Sequence, residues 1–485
     1  MIYRIFPPDE LIEEGLVSLP PSKSILNRRL IIDALAAPGA PCAEAAAASS
    51  EATPAAQPRP ALSGDRPCTA DFPDSPDPAP EAVDVQIMRS CVDAITSSVK
   101  GTMELNVGES GTALRLLTAL LATRPEGEEY ILTGQPGLLH RPMAPLVDAL
   151  RTLGADIRYL DREGFAPLRI ASRPLPGGCV CIDASLSSQF VSALMLVAPG
   201  MKQGLRIDFD GEPASLPYIK MTAAMMRHRG SQVDLSPLAV DIKPGQYHPD
   251  TEEVEADWSA AAFWYETVAL TAGWITLTGD PGTTLLPLDQ SVQGDARAAE
   301  FFECLGVLTE PSEEHDNALS LSPSPEVYGR LDLDLRDYPD MAPSLAVTCC
   351  MLGVPFKFVG LEALAAKETD RLTAIVEEME KVGCTVERIR DYGLEWEGRR
   401  HPITTMPIFD PHGDHRMAMA LAPIAAYIPG ILLADPDCVA KSYPTFWANL
   451  RSLGFTIEEA SSPLKSPASP DASESASSEA PSPEG

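Results

Sequence analysis

Five short segments of the sequence combine small residues, hydroxyl groups and cations at points where the pattern predicts that a loop leads into a helix. They cover residues 19–29, 107–115, 185–190, 366–372 and 410–419. The first turn of a helix has backbone N–H groups without intrahelical partners, and the helix dipole adds positive potential there. Because both effects favour a bound anion, the five segments predict a site for a negatively charged small molecule.

The first segment runs from a proline pair into a helical pattern that carries Lys23, Ser24 and Arg28. Lys23 and Ser24 could bind a phosphate, and the guanidinium of Arg28 could bind a carboxylate or a phosphate through two hydrogen bonds. A serine cap with solvated cations is the alternative for this segment alone. In the second segment, Gly111 belongs to a glycine-rich turn that is either an anion cradle or an ordinary turn.

The third and fourth segments carry polar groups suited to binding a polyol or phosphate and to proton transfer. Residues 187–189 (Ser-Ser-Gln) precede an apolar helix, and a helix cap would explain only one of these three groups. In the fourth segment, Lys367 and Arg371 could bind anions while Glu368 donates or accepts a proton. The alternative for the fourth segment is a solvated helix start.

In the fifth segment, Asp414, His415 and Arg416 directly precede a helical pattern rich in Ala and Met. An arginine anchored by its neighbours at a helix start is a strong anion site. His415 alone is more typical of a packed or capping histidine than of a catalyst. Further candidates lie in short motifs that are weak when taken singly: Arg141, Ser215, Tyr218, Asp340 and Lys441.

A helical pattern followed by a glycine and then a strand recurs along the chain. The glycines are Gly154, Gly230, Gly306, Gly383 and Gly454, about 75 residues apart, and a glycine in the left-handed conformation commonly ends a helix. A sixth helix, near residues 85–97, lacks this glycine. The pattern predicts about six copies of one unit of strands and helices in globular α/β domains, because the period is too long for short stacked repeats.

The composition argues against several classes of protein. A formal net charge of −32 argues against nucleic acid as the main partner, and no apolar run approaches the ~18 residues that cross a bilayer. None of the ten cysteines forms a Cys-x-x-Cys pair, so we expect reduced thiols in the cytoplasm and no zinc site. Residues about 37–80 and 461–485 are rich in Ala, Pro and Ser, and we predict that both are disordered.

Taken in order, the motifs resemble the EPSP synthase (3-phosphoshikimate 1-carboxyvinyltransferase) family. The matching strings are Ser-Lys-Ser…Asn-Arg, Gly-Thr-Ala-x-Arg, Ser-Ser-Gln-Phe, Pro-Tyr-Ile, Lys-Glu-Thr-Asp-Arg and Asp-His-Arg-Met-Ala-Met. The resemblance implies an α/β (α+β) fold of two similar globular domains, each of three βαβαββ-type repeats forming an inside-out α/β barrel. The implied domains are residues 18–254, with the insertion, and residues 1–17 plus 255–460.

The resemblance also implies an activity. Members of this family transfer the enolpyruvyl group of phosphoenolpyruvate to the 5-hydroxyl of shikimate 3-phosphate by addition and elimination, in the shikimate pathway to chorismate and aromatic amino acids. The family uses no metal or organic cofactor. We therefore expect a cytoplasmic monomer without nucleic-acid or membrane partners, whose ligands are the two small substrates.

The same resemblance assigns site residues. Shikimate 3-phosphate would contact Lys23, Ser24, Arg28, Ser187, Ser188, Gln189, Ser215, Tyr218, Asp340 and Lys367. Phosphoenolpyruvate would contact Lys23, Gly111, Arg141, Gln189, Arg371, Arg416 and Lys441. Asp340 is the candidate base for the hydroxyl, Glu368 is the candidate acid for the methylene carbon, and Lys23 stabilises negative charge.

The sequence departs from the family pattern at several places. The family has Asn where Glu109 stands, and we expect this carboxylate to point away from an anion site. Ala363 replaces an Asn that often touches the substrate, Leu116 replaces a Pro, and Ala365 and Ala366 replace an Arg-Val pair. The stretch between residues 85 and 106 is short and lacks a hairpin, so substrate affinity is the property that these departures should affect.

Three other interpretations remain open at this point. A related enolpyruvyl transferase acts on UDP-N-acetylglucosamine, but it typically carries a reactive cysteine in the first half, and residues 135–140 contain none. A binding protein on the same scaffold would have lost its catalytic groups, whereas Asp340 and Glu368 are present. A purely structural repeat protein would not be stabilised by shikimate 3-phosphate.

Overall fold

The computed structural model describes residues 1–37, 80–97, 101–251 and 253–460. The α-helices in these ranges are α1 Lys23–Ala36, α2 Val83–Thr96, α3 Gly111–Ala122, α4 Ala144–Thr152, α5 Ser188–Val197, α6 Leu216–His228, α7 Trp258–Thr271, α8 Ala298–Glu303, α9 Ala342–Leu352, α10 Arg371–Glu380, α11 His415–Leu421 and α12 Phe446–Ser452. The strands are β1 Ile2–Phe6, β2 Gly15–Leu19, β3 Thr102–Asn106, β4 Glu129–Thr133, β5 Asp156–Tyr159, β6 Leu168–Ala171, β7 Gly178–Asp183, β8 Leu205–Asp210, β9 Val233–Leu235, β10 Ala239–Ile242, β11 Val254–Glu255, β12 Ile275–Gly279, β13 Thr283–Thr284, β14 Leu305–Pro311, β15 Leu319–Val327, β16 Leu331–Asp334, β17 Phe356–Val359, β18 Glu387–Ile389, β19 Gly393–Trp396, β20 Ile408–Phe409, β21 Ile431–Ala434 and β22 Thr456–Glu459.

Five four-stranded sheets share one topology. Their strand orders are β3-β4-β6-β5, β7-β8-β10-β9, β2-β12-β15-β14, β16-β17-β19-β18 and β20-β21-β1-β22. In each sheet the first pair is parallel and the next two pairs are antiparallel. A parallel pair needs a crossover connection, whereas an antiparallel pair can be joined by a short turn. The βαβαββ repeat and the α/β fold class are therefore confirmed, with β11 and β13 forming a small parallel pair besides.

The five repeat glycines all have positive φ, as the pattern predicted. They are Gly154, Gly230, Gly306, Gly383 and Gly454. At Gly230 (φ 89°) the N–H donates to the carbonyl of Arg227 and closes the last turn of α6. An L-residue with a side chain is strained in this conformation, which is why a glycine ends the helix.

The remaining unit is represented by α1 and α2. Five residues, 97–101, separate α2 from β3 along the chain, and the expected lack of a hairpin before β3 stays a prediction because residues 98–100 lie outside the described ranges. The predicted disorder of residues about 37–80 and 461–485 falls almost entirely outside the described residues.

The apolar side chains form two large clusters. One contains side chains of α1–α6 and β3–β10, which we call the first half; the other contains side chains of β1, β2, α7–α12 and β12–β22, the second half. Helices α3 and α5 are buried on nearly every side and pack against each other, as do α7, α9 and α11. A helix that is apolar all round belongs inside a core, so the sheets lie outside these central helices.

The start of the chain belongs to the second half. β1 lies between β21 and β22, and β2 pairs with β12. The domain limits 18–254 and 1–17 plus 255–460 stay predictions. Among the described residues, no helix has the length and apolar character that crossing a membrane requires.

Candidate active site

A cleft of about 340 Å³ lies between the two halves and collects nearly all the predicted site residues. Those that line it are Lys23, Ser24, Arg28, Gly111, Arg141, Ser187, Ser188, Gln189, Ser215, Tyr218, Asp340, Lys367, Glu368, Arg371 and Arg416. Lys441 lies just behind this lining, with its Nζ 2.8 Å from Oε1 of Glu368. Residues far apart in sequence therefore meet in one place.

Helix starts position many of these side chains. Lys23, Gly111, Ser188 and Arg371 are the first residues of α1, α3, α5 and α10, and Arg416 is the second residue of α11. Free N–H groups and positive helix ends consequently face the cleft from both halves. This is the arrangement that the five sequence segments predicted.

The charge of the cleft opposes the charge of the whole chain. Its basic lining residues are Lys23, Arg28, Arg115, Arg141, Arg336, Lys367, Arg371 and Arg416. Its acidic lining residues are Asp84, Glu212, Asp340, Glu362 and Glu368. The cleft therefore has eight cationic residues and five carboxylates, although the whole chain has a net charge of −32. This local excess of positive charge favours the binding of anions.

Asp340 is surrounded by three cations. Its carboxylate lies 2.7 Å from Arg371 Nη1, 3.1 Å from Arg416 Nη2 and 3.3 Å from Lys367 Nζ. Burial alone would raise the pKa of Asp340, but Arg416, Lys367 and Arg371 together hold it well below its usual value. The three cations therefore favour the ionised form of Asp340.

Glu368 occupies a similar position. Oε1 lies 2.8 Å from Lys441 Nζ and 3.7 Å from Arg141 Nη1, while Oε2 lies 3.1 Å from Arg371 Nη2. Burial would raise the pKa of Glu368, and Lys441, Arg141 and Arg371 lower it well below its usual value. Arg141 belongs to the first half, so this carboxylate also ties the two halves together.

Lys23 and Arg28 lie on the other side of the cleft. Lys23 Nζ is 3.0 Å from the buried carboxylate of Asp84. Arg28 donates to Thr222 Oγ1 at 2.7 Å and Ser192 Oγ at 3.1 Å, and burial lowers the pKa of its guanidinium to about 10. A buried arginine held by hydroxyl groups is well suited to pair with a ligand anion.

The hydroxyl and amide groups form the remaining wall. Ser187 Oγ accepts the N–H of Gln189 at 3.3 Å, so this serine does cap α5, while Gln189 Nε2 donates to Thr112 Oγ1 at 3.1 Å. Tyr218 donates its hydroxyl to Asp295 Oδ2 at 3.1 Å across the two halves. Burial, followed by the charge of Asp340, raises the pKa of Asp295 to about 6.

Some cleft residues were not assigned from the sequence. Arg115 is buried, with Nε and Nη1 lacking a hydrogen-bond partner among the described residues, and burial together with the charge of Arg141 lowers its pKa well below the usual value. It lies one helical turn after Gly111, a spacing that could have placed it on the same face. Asp84 and Arg336 carry no local motif, and sequence alone offered no reason to select them.

The departures from the family pattern have distinct positions. Glu109 is exposed and outside the cleft lining, as expected, and its backbone carbonyl accepts Lys441 Nζ at 3.1 Å. Ala363 and Ala366 do line the cleft. The substitution at residue 109 therefore removes no cleft surface, whereas Ala363 presents a methyl group where the family has an amide.

The fold and the cleft together define an α/β protein with a cation-rich cleft between two halves. A family model described as EPSP synthase (3-phosphoshikimate 1-carboxyvinyltransferase) matches residues 81–450. The chain is 37% identical over 460 residues to the 3-phosphoshikimate 1-carboxyvinyltransferase of Bacteroides fragilis, covering 94% of this chain and 99% of that protein. It is 36% identical over 360 residues to the Haemophilus influenzae protein of that name, and the match covers 73% of this chain and 79% of that protein.

The fold has a solved counterpart. A structure of EPSP synthase from Acinetobacter baumannii superposes with a TM-score of 0.64 and 18% sequence identity, covering 94% of this chain and all of that one. At this identity the structural likeness establishes the fold alone. The family match over most of the chain and the identity to the relatives establish membership: this chain belongs to the EPSP synthase family.

Proposed function

We propose that the protein transfers the enolpyruvyl group of phosphoenolpyruvate to the 5-hydroxyl of shikimate 3-phosphate, giving 5-enolpyruvylshikimate 3-phosphate and phosphate. The observation that carries the proposal is a pair of carboxylates, those of Asp340 and Glu368, which are 12% and 11% exposed and are joined by one arginine in a cation-rich cleft. Both substrates are anions, and the reaction needs a base at a hydroxyl and an acid at a carbon.

Shikimate 3-phosphate would lie against the first half. Arg28, which donates hydrogen bonds to two buried hydroxyl groups, is placed to bind an anionic group. The side chains of residues 187–189, Ser215 and Tyr218 offer donors for phosphate and hydroxyl oxygens. Lys23 and Ser24 at the start of α1 add to this wall. Asp340 and Lys367 would reach the ring from the second half.

Phosphoenolpyruvate would lie between the guanidinium groups. Arg141, Arg371 and Arg416 are the arginines that form ion pairs with the two carboxylates, and Lys441 Nζ lies 2.8 Å from Glu368 Oε1. Gly111 leaves room here, since a Cβ built on it would come within 2.4 Å of Arg115 Nη1 and 2.6 Å of Arg141 Nη1. Planar guanidinium groups match carboxylate and phosphate oxygens in geometry, and Lys23 and Gln189 would complete the contacts.

The proton transfers follow from the two carboxylates. Asp340 would take the proton of the 5-hydroxyl as the hydroxyl oxygen bonds to C2 of phosphoenolpyruvate, and Glu368, protonated in the complex with both substrates, would give its proton to C3. In the tetrahedral adduct, Glu368 would take a proton back from C3 while the C2–O bond to phosphate breaks, and the leaving phosphate would take the proton held by Asp340. The binding of substrate anions should raise the pKa of both carboxylates, because it neutralises the cations that now lower it.

We also propose that the enzyme acts as a cytoplasmic monomer, as the sequence suggested. Free cysteines support a reducing compartment: the eight described ones, from Cys91 to Cys438, are all unpaired. Light scattering of the purified full chain tests the oligomeric state, with the mass of one chain as the expected result.

The test of the proposed function is phosphate release from phosphoenolpyruvate by the purified full chain. Shikimate 3-phosphate and UDP-N-acetylglucosamine are compared as acceptors, with a sample lacking any acceptor as the control. We expect release only with shikimate 3-phosphate. Release with UDP-N-acetylglucosamine alone would assign the other enolpyruvyl transfer, and release with neither would contradict the proposal.

A further inference from the structure

Arg336 lies in the loop between β16 and α9 and lines the cleft. Its backbone carbonyl accepts the N–H of Ser215 at 2.9 Å, so its main chain touches the expected shikimate 3-phosphate wall directly. Its guanidinium Nη1 lies 3.0 Å from Glu212 Oε2, on the opposite half. Neither the sequence motifs nor the proposed mechanism gives this arginine a role.

The stem of Arg336 packs on the turn that carries Ala363. A Cβ built on Gly360 would lie 2.7 Å from the Arg336 nitrogen and 2.8 Å from its Cβ, so only a glycine fits against it. Three residues later, Ala363 faces the cleft with a methyl group in place of a substrate-contacting amide. Arg336 and Ala363 therefore line the same cleft, and the main chain and Cβ of Arg336 pack on the turn that leads to Ala363.

The ion pair between Arg336 and Glu212 is exposed to solvent, so a stronger anion can displace Glu212. The side chain of Glu212 is 74% exposed and that of Arg336 is 37% exposed, and pairs of this kind contribute little to stability in water. A phosphate dianion accepts two parallel hydrogen bonds from a guanidinium, and it carries a larger negative charge than a carboxylate. A ligand phosphate at this edge of the cleft should therefore replace Glu212 as the ion-pair partner of Arg336.

We propose that Arg336 binds the phosphate group of shikimate 3-phosphate and leaves Glu212 when that substrate enters. This inference rests on the proposed function, since it names a further ligand for one of its substrates. Arg336 is thus a specificity residue for the phosphorylated acceptor, outside the proton-transfer chemistry.

The experiment compares the wild-type chain with Arg336→Gln, Glu212→Gln and Arg330→Gln. Arg330 is the matched control, because it is an equally exposed arginine of the same half that pairs with Asp332, Glu395 and Glu397. The measurements are KM for each substrate, kcat, and the dissociation constants of shikimate 3-phosphate and unphosphorylated shikimate from titration calorimetry. Wild-type turnover is measured first and tests the proposed function separately.

Arg336→Gln should raise the KM and dissociation constant of shikimate 3-phosphate about tenfold or more, as expected for a lost charge-assisted contact. The KM of phosphoenolpyruvate, the kcat and the affinity for shikimate should change by less than about threefold, because these do not involve the phosphate. Glu212→Gln should leave the KM of shikimate 3-phosphate equal or lower, since it frees Arg336, and Arg330→Gln should resemble wild type.

Three results would overturn the inference while leaving the function intact. An active Arg336→Gln variant with unchanged affinity for shikimate 3-phosphate would remove the contact altogether. Equal losses in Arg336→Gln and Glu212→Gln would make the pair a clamp between the halves. A parallel loss of affinity for shikimate would place the contact on the ring or carboxylate. An inactive wild-type chain would instead contradict the function on which the inference rests.

Discussion

Asp414 holds Arg371 through two hydrogen bonds, from Nε at 2.7 Å and Nη2 at 3.2 Å. Asp414 also caps α11 by accepting the N–H of Arg416 at 2.9 Å. With Asp414 holding one edge of the guanidinium, Arg371 donates from Nη1 to Asp340 and from Nη2 to Glu368. One buried arginine thereby fixes the geometry of both candidate proton-transfer groups.

Asp414→Asn should destabilise the chain and misplace Arg371. The arginine is 1% exposed and would lose its principal countercharge, and removing one partner of a buried pair costs about 3–5 kcal/mol. We expect a fall of this size in the free energy of unfolding, measured by urea denaturation, and a rise in the KM of phosphoenolpyruvate. Asp391→Asn, which removes an exposed partner of Arg388, is the control and should cost less than about 1 kcal/mol; equal effects of the two changes would contradict the role given to Asp414.

Asp340→Asn and Glu368→Gln keep the shape of each side chain while removing its ability to exchange a proton. Each should lower kcat by about 10²–10⁴-fold with the fold intact. Steady-state kinetics and circular dichroism provide the measurements. Glu362→Gln removes another carboxylate that lines the same cleft and should leave kcat within about threefold of wild type. If either of the first two variants turned over normally, its carboxylate would have no part in proton transfer.

Gly111→Ala should crowd the phosphoenolpyruvate side of the cleft selectively. The added methyl group would lie 2.4 Å from Arg115 Nη1 and 2.6 Å from Arg141 Nη1, so both guanidinium groups must shift. We expect the KM of phosphoenolpyruvate to rise about tenfold or more and the KM of shikimate 3-phosphate to stay nearly constant, because a misplacement of about 1 Å is costly in a positioned site. An equal rise in both constants would indicate a general distortion of the cleft.

Glu266 should make the free energy of unfolding of the chain decrease as pH rises. Both of its carboxylate oxygens are buried in α7 without a hydrogen-bond partner among the described residues, and burial raises its pKa well above the usual value. The unfolded chain ionises this group above pH ~4.3 while the folded chain keeps it protonated, so it should lower the free energy of unfolding by ~1.4 kcal/mol per pH unit until its folded pKa is reached.

The Glu266→Gln variant tests the direction of this pH dependence. Its stability relative to wild type should increase from pH 5 to pH 8 in urea denaturation curves. Glu10→Gln, at an exposed position, is the control and should show no such trend. A stability difference independent of pH would mean that Glu266 is ionised in the folded chain.

Local patterns were enough to predict much of the fold. The five repeat glycines have the positive φ that ends a helix, because a backbone conformation reserved for one residue type leaves a clear mark in the sequence. The helix starts at Lys23, Gly111, Ser188 and Arg371 could be predicted for a similar reason, since small residues and hydroxyls cluster where a helix begins.

Contacts between distant segments could not be predicted. The pairs Lys23–Asp84 and Arg336–Glu212 join loops and helices that are far apart along the chain. The hydrogen bond from Tyr218 to Asp295 likewise depends on how the two halves meet. No local preference of Asp84, Asp295 or Arg336 encodes these pairings, which arise only when the repeats are packed together.

The most direct test of the account follows the carbon that reacts. Phosphoenolpyruvate labelled with ¹³C at C2 is incubated with shikimate 3-phosphate and the full chain, and the products are analysed by ¹³C and ³¹P NMR. If the protein transfers the enolpyruvyl group, the label should appear in an enol ether of shikimate 3-phosphate, with one inorganic phosphate released for each ether formed. Label that remains in phosphoenolpyruvate, or that appears in pyruvate without an ether, would contradict it.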